Sequence, residues 1–175
     1  MALTAALTVA VGLLFAGSAF GADQRVVKIQ DDCDPASFNA AVGPGTCEGD
    51  GRTLFADLIA GAQTVGTVDR WQFSRPEFNI DAGGTIHVVN EGGEAHTFTM
   101  VKAFGDGCIP ALNLGGVVGT PAADCATIVP IPRGGTADVP VPQPRTVFFQ
   151  CMIHPWMHST VDVRDEGDRG NRGEG

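Results

Sequence analysis

Several signatures are missing from this 175-residue chain, and each absence removes a class of function. There is no C-x-x-C pair, which excludes thioredoxin-type redox chemistry, c-type haem attachment and zinc ribbons. No G-x-S-x-G, H-E-x-x-H or glycine-rich phosphate loop occurs, so the common hydrolase and nucleotide motifs are missing. Basic residues number only 11 against 20 acidic ones, a formal net charge of −9, and no basic patch is interleaved with aromatics; nucleic acid is a poor partner. Asn-x-Ser/Thr acceptor sites are absent, as are internal repeats. Outside residues 3–20 no apolar run is long enough to span a bilayer.

That one apolar run ends in Ala19-Phe20-Gly21-Ala22, which reads as a cleavable signal over residues 1–22, although no Lys or Arg precedes it. The mature chain is then expected in the periplasm or secreted, without a membrane span. Five cysteines follow, an odd number. In an oxidising compartment four pair and one remains. Cys33 with Cys47 and Cys108 with Cys125 are the preferred couples among three connectivities, because each brackets a Gly/Pro-rich loop. Each bridge is worth about 3 kcal/mol in the chain-entropy model.

The pattern along the chain is that of short strands between Gly/Pro turns, which predicts an all-β, antiparallel sandwich. Residues 23–66 form an N-terminal extension that opens on a short strand expected at 25–29. Within it Thr53–Ala60 has helical apolar spacing that Gly61 is expected to stop, and 33–51 reads as a stapled loop. The main domain is placed at 67–163. Its strands are expected at 71–73, 77–80, 85–90, 96–101, 136–141, 146–150 and 159–163, with a long stapled excursion over 105–132. In the 96–101 strand, alternation places His96, Phe98 and Met100 on one face. The Gly-rich, charged tail 164–175 reads as disordered.

What remains is Cys151. It ends an apolar strand and opens the loop Cys151-Met-Ile-His154-Pro-Trp-Met157-His158. One thiolate, two imidazoles (His154 and the upstream His96) and one thioether (Met157) form the ligand set of a blue-copper electron-transfer site. The enzymatic alternative, a Cys151/His154 nucleophile pair, is weaker, since residues so close on one loop converge more naturally on a metal. His158 is a competing third imidazole. His87 is expected on a solvent face, and Glu94 either as a plain turn residue or as a carboxylate tuning His96.

The loop C-x2-H-x2-M, with Pro after the His and an aromatic before the Met, resembles the ligand loop of amicyanin, a small cupredoxin. Residues 78–90 followed by His96 are similar to the plastocyanin, pseudoazurin and amicyanin pattern. The resemblance implies an eight-stranded Greek-key sandwich that holds one type 1 copper ion through His96, Cys151 and His154, with Met157 as weak axial ligand. It implies a monomeric, non-enzymatic carrier of single electrons, with a c-type cytochrome or a periplasmic oxidoreductase as partner. A copper-binding carrier or storage protein is the alternative. Thr97 stands where many relatives have an Asn that braces the Cys loop, so its hydroxyl is expected to do part of that work. His154 is expected to emerge at the surface among Met152, Ile153, Pro155 and Trp156.

Overall fold

The computed structural model describes residues 23–116 and 119–165; the expected signal and most of the expected tail lie outside them. Eight strands form two four-stranded sheets. The first sheet has the order β2-β1-β4-β6, built from β1 (Gln24–Gln30), β2 (Gln72–Phe73), β4 (Gly84–Asn90) and β6 (Thr136–Val141). The second has the order β3-β8-β7-β5, built from β3 (Glu77–Asp81), β8 (His158–Arg164), β7 (Arg145–Gln150) and β5 (Thr99–Val101).

Period-two patterning explains why these segments pair face to face. In β4 the residues Gly84, Ile86, Val88 and Asn90 are buried, while His87 and Val89 are partly exposed. The opposing sheet supplies Val147, Phe149, Val161 and Val163, and Phe149 stacks on Phe98 at 4.3 Å between centroids. Pro140 is accommodated because β6 lies at a sheet edge, where a missing N–H disrupts no inner ladder.

The sandwich is mixed rather than wholly antiparallel. β1 runs parallel to β4, with Val27 opposite Val88, and β3 runs parallel to β8, with Phe78 opposite Val161. The expected boundary at 66/67 does not divide the elements either, because β1 is an inner strand of the first sheet. What the extension adds is two helices, not one. α1 (Pro35–Ala41) lies inside the segment expected to be a loop. Its Asp34 cap accepts the Ser37 N–H at 2.7 Å, and Pro35 starts the helix where no N–H is needed.

α2 (Phe55–Thr64) begins two residues later than expected and runs through Gly61. Gly61 is there for close approach: a Cβ on it would stand 3.0 Å from Val68 Cγ2. Gly66 follows the C-terminal cap of the helix; its φ of 75° suits a left-handed terminus, and its N–H reaches the carbonyls of Gly61 and Ala62. Phe38, Leu58 and Ala62 face inward, and Phe38 stacks on Trp71 with centroids 6.1 Å apart.

Both local disulfides, Cys33–Cys47 and Cys108–Cys125, are formed and Cys151 is the free thiol, buried. The excursion after β5 contains two 3-10 turns, at Pro110–Leu112 and Leu114–Gly116, and packs on α2, where Gln63 Nε2 donates to the Ala111 carbonyl at 3.1 Å. Among the described residues no helix is long and apolar enough to cross a membrane.

Candidate metal centre

β7 carries Cys151 to one pole of the sandwich and β8 leaves it, so the intervening loop must reverse within a few residues. It does so through two backbone bonds: the Met157 N–H donates to the His154 carbonyl at 3.0 Å, and the Cys151 N–H to the Met157 carbonyl at 3.1 Å. Met157 is buried in the same core. His96 arrives from the other direction, just before β5, pinned by a two-bond bridge to Ile131.

These elements bring three donor atoms together. Cys151 Sγ lies 3.8 Å from His96 Nδ1 and 4.0 Å from His154 Nδ1, and the two Nδ1 atoms are 3.2 Å apart. A point equidistant from the corners of such a triangle is about 2.1 Å from each, the range of nitrogen–metal and sulfur–metal bonds. The donor set therefore fits one ion in size as well as in chemistry. Soft thiolate suits Cu(I) and imidazole suits Cu(II).

The thiol is conditioned by its surroundings. Burial opposes its ionisation, but hydrogen bonds with His154 and His96 and their positive charge hold it well below the usual thiol range. Two backbone N–H groups, of Thr97 and His154, each point at Sγ from 3.4 Å. Thr97 also braces the loop through its side chain: the Met152 N–H donates to Thr97 Oγ1 at 2.8 Å. That hydroxyl thus does the work expected of it.

Each imidazole has a carboxylate on its far side. Asp31 Oδ2 stands 2.8 Å from His96 Nε2, with both side chains essentially sealed from solvent. Glu94 Oε2 stands 3.4 Å from His154 Nε2 and accepts the Trp71 indole N–H at 2.9 Å. Glu94 is therefore placed on His154, not on His96 as the sequence suggested; the partner of His96 is Asp31. Asp31 is set by its position just after β1, where its carboxylate also accepts the N–H groups of Gly93 at 2.9 Å and Glu94 at 3.0 Å. Gly92 makes this approach possible, since a Cβ there would fall 2.1 Å from Asp31 Oδ2. Asn90 completes the turn by donating to the carbonyls of Glu94 and Ile131, each at 2.8 Å. No short motif around Asp31 marks it in the sequence; only the 65-residue contact across the fold does.

The charges follow. Although burial acts against it, the bond to His96 and those from Glu94 and Gly93 hold the Asp31 carboxyl down at about 2. Burial also acts against a charged His96, yet Asp31 and Cys151 lift it to about 9. Burial pushes Glu94 up, opposed by His154 and Trp71. A depressed carboxyl stabilises the fold above its unfolded value, about 3.9, and that contribution disappears as pH falls through about 2. A raised imidazole stabilises below about 6.5 and loses its effect as pH rises through about 9. The metal-free protein is accordingly expected to lose on the order of 2 kcal/mol on acidification from about pH 4 through the Asp31 range. Urea midpoints across that pH range check this; a flat profile would contradict the Asp31–His96 pairing.

Three expectations are corrected at this pole. His154 does not emerge: it is 1% exposed, covered by Glu94 and flanked by Trp71 and Trp156 at centroid distances of 6.3 and 5.6 Å. Met152 is buried too, its carbonyl taken by the Cys108 N–H at 2.6 Å, so the stapled excursion covers this side of the loop. Ile153, Pro155 and Trp156 remain partly exposed. Met100 is 41% exposed while Thr97 is buried, because the chain reaches regular β geometry only at Thr99. His158 lies outside the donor group; its ring stacks on Phe104 at 3.9 Å. His87 pairs with Asp138 at 2.7 Å on the partly exposed face of β4. Arg164, assigned to the tail, closes β8.

The chain folds as a two-sheet sandwich, and the donor atoms of its buried His96, Cys151 and His154 lie within 4.8 Å of one another, close enough to hold one metal ion. Among solved structures the chain is similar to amicyanin from Paracoccus versutus (Thiobacillus versutus), at 18% identity over 55% of this chain and 76% of that one, with a TM-score of 0.37. A purple cupredoxin from Nitrosopumilus maritimus aligns at 12% identity over 79% of this chain and 98% of that one, with a TM-score of 0.43. A Cu(I) form of an amicyanin mutant aligns at 14% identity over 54% and 74%, with a TM-score of 0.37. No protein-family model matches the sequence, and no curated protein does. The chemistry assigned to the pole rests on its own geometry.

Proposed function

We propose that the protein carries single electrons on one copper ion bound by His96, Cys151 and His154, with the Met157 sulfur as a weak axial donor. The carrying observation is the buried donor triangle, with sides of 3.2, 3.8 and 4.0 Å. Copper bound there would supply a one-electron couple. The chain supplies rigidity: both N–H···S contacts, the Thr97 brace and the Asp31 bond fix the donors, so little rearranges when the charge changes.

With His154 sealed, the exchange of electrons runs through Trp156, whose ring meets the His154 ring edge-on and reaches the surface beside Ile153 and Pro155. This small apolar patch suits brief docking with a protein partner, such as a c-type cytochrome or an oxidoreductase. Two disulfides favour an oxidising compartment, the periplasm or the exterior. The protein acts there as a monomeric carrier rather than an enzyme. The test is the visible spectrum of the disulfide-intact protein with one equivalent of Cu(II). An intense blue or purple thiolate-to-copper band is expected. A weak spectrum typical of a tetragonal site would overturn the reading and favour copper storage.

A further inference from the structure

We infer that Asp31 and Glu94 are a matched pair of positioning residues that bias the donor triangle toward a divalent ion over Cu(I), by presenting one buried carboxylate to the outer nitrogen of each imidazole. The inference rests on the copper reading for its redox consequence but on the carboxylates for its cause.

The geometry has two parts. Each histidine turns Nδ1 toward Cys151 and Nε2 toward an acid; at His96 the Asp31 hydrogen bond selects which ring nitrogen is free to bind metal, whereas His154 Nε2 makes no hydrogen bond and feels Glu94 through its charge. A carboxylate that accepts from one imidazole nitrogen also makes the other a stronger donor. The second part is charge. Within one sealed pole lie the Cys151 sulfur and two carboxylates, with side-chain exposures of 1% for Asp31 and 9% for Glu94. Their partners are two imidazoles, the Trp71 N–H and backbone N–H groups; no Lys or Arg pairs with Glu94, or with Asp31, among the described residues. Once His96 gives up its proton to a metal, the ion is the largest compensating charge, and a dication compensates more than a monocation. Asp31, at hydrogen-bond distance, carries the larger share; Glu94, at 3.4 Å, the smaller. Both acids are locked by the chain rather than free to swing, since Asp31 accepts three backbone N–H groups and Glu94 holds the Trp71 indole.

The experiment compares the wild-type protein with Asp31→Asn, Glu94→Gln and the double variant. Asp138→Asn, a surface carboxylate paired with His87, controls for net charge. Two quantities are read: the reduction potential of the copper-loaded protein, and Zn(II) affinity by chelator competition as a redox-silent measure. The Asp31 variant is expected to shift the Cu(I)/Cu(II) affinity ratio at least tenfold toward Cu(I), a rise of about 59 mV for a one-electron couple. Zn(II) affinity should drop 10–100-fold. Glu94→Gln should move both in the same direction by less, and Asp138→Asn should move neither. Unchanged potential and Zn(II) affinity in the Asp31 and Glu94 variants would overturn the inference while leaving the copper reading intact. A wild-type protein that binds Zn(II) in a carboxylate-dependent way but shows no thiolate–copper band would overturn the copper reading alone.

Discussion

Cys151→Ser is expected to erase the visible charge-transfer band completely while leaving the fold in place. The band requires a sulfur–copper bond, and no other thiol is available, because the remaining four cysteines are consumed in disulfides. A serine hydroxyl is a hard, weakly acidic donor that does not ionise in a buried site, so the softest corner of the triangle is lost. Two N–H groups that point at the sulfur, from Thr97 and His154, would face a smaller atom at longer range. That should cost the metal-free protein about 1–2 kcal/mol, too little to unfold it. Absorption spectra of the copper-loaded variant, with far-ultraviolet circular dichroism as the folding check, decide the matter. A surviving intense band would remove Cys151 from the site.

The second large effect is expected at Trp71. Its ring is buried between the helical extension and the metal pole, stacking on Phe38 and facing His154, and its N–H is donated to Glu94. Trp71→Ala should destabilise by about 3–5 kcal/mol through the cavity alone. It also strips a buried carboxylate of its donor, a further cost of about 1–3 kcal/mol. Trp71→Phe keeps an aromatic ring for the stack but removes the N–H together with part of the ring volume, so a loss smaller than that of Trp71→Ala but of at least about 1–3 kcal/mol is expected. Denaturant unfolding of the three proteins measures both steps. Equal midpoints for Trp71→Phe and wild type would mean that the indole N–H contributes nothing.

These two residues also show how legibility divides. Cys151, His154 and Met157 share one loop, and a loop of fixed spacing after an apolar strand is visible in one dimension. His96 is legible as the imidazole that follows a Gly-Gly turn, although the alternation expected from it onward begins only at Thr99. Asp31 and the Glu94–His154 pairing are not legible, since contacts of that kind depend on how β1 is laid beside β4, a register that periodicity does not encode. The same holds for the parallel ladders: period two reports which face is buried, not which way the strand runs. α1 was missed although Asp34-Pro35 is a helix-start signal, because the Gly- and Pro-rich composition that follows outweighed it. Burial of His154 was missed for a different reason. The covering groups, Glu94, Trp71 and Trp156, come from three separate segments, and no periodicity shows that they converge on one imidazole.

The excursion grips the ligand loop by main chain. The Cys108 N–H holds the Met152 carbonyl, and Gly107, whose own N–H is taken by Asn113 Oδ1, leaves no room for a side chain, since a Cβ would stand 2.8 Å from the Met152 oxygen. Side chains farther along it, such as Ile109 at 42% and Leu114 at 59% exposure, face outward. Backbone contacts are indifferent to the identity of their neighbours. The segment can therefore diverge in sequence at its outward positions without disturbing the pole beneath, provided that Gly107, Asn113 and the Cys108–Cys125 bridge stay, which makes it the part of the molecule most open to acquiring a new binding preference while the centre it shelters remains the same.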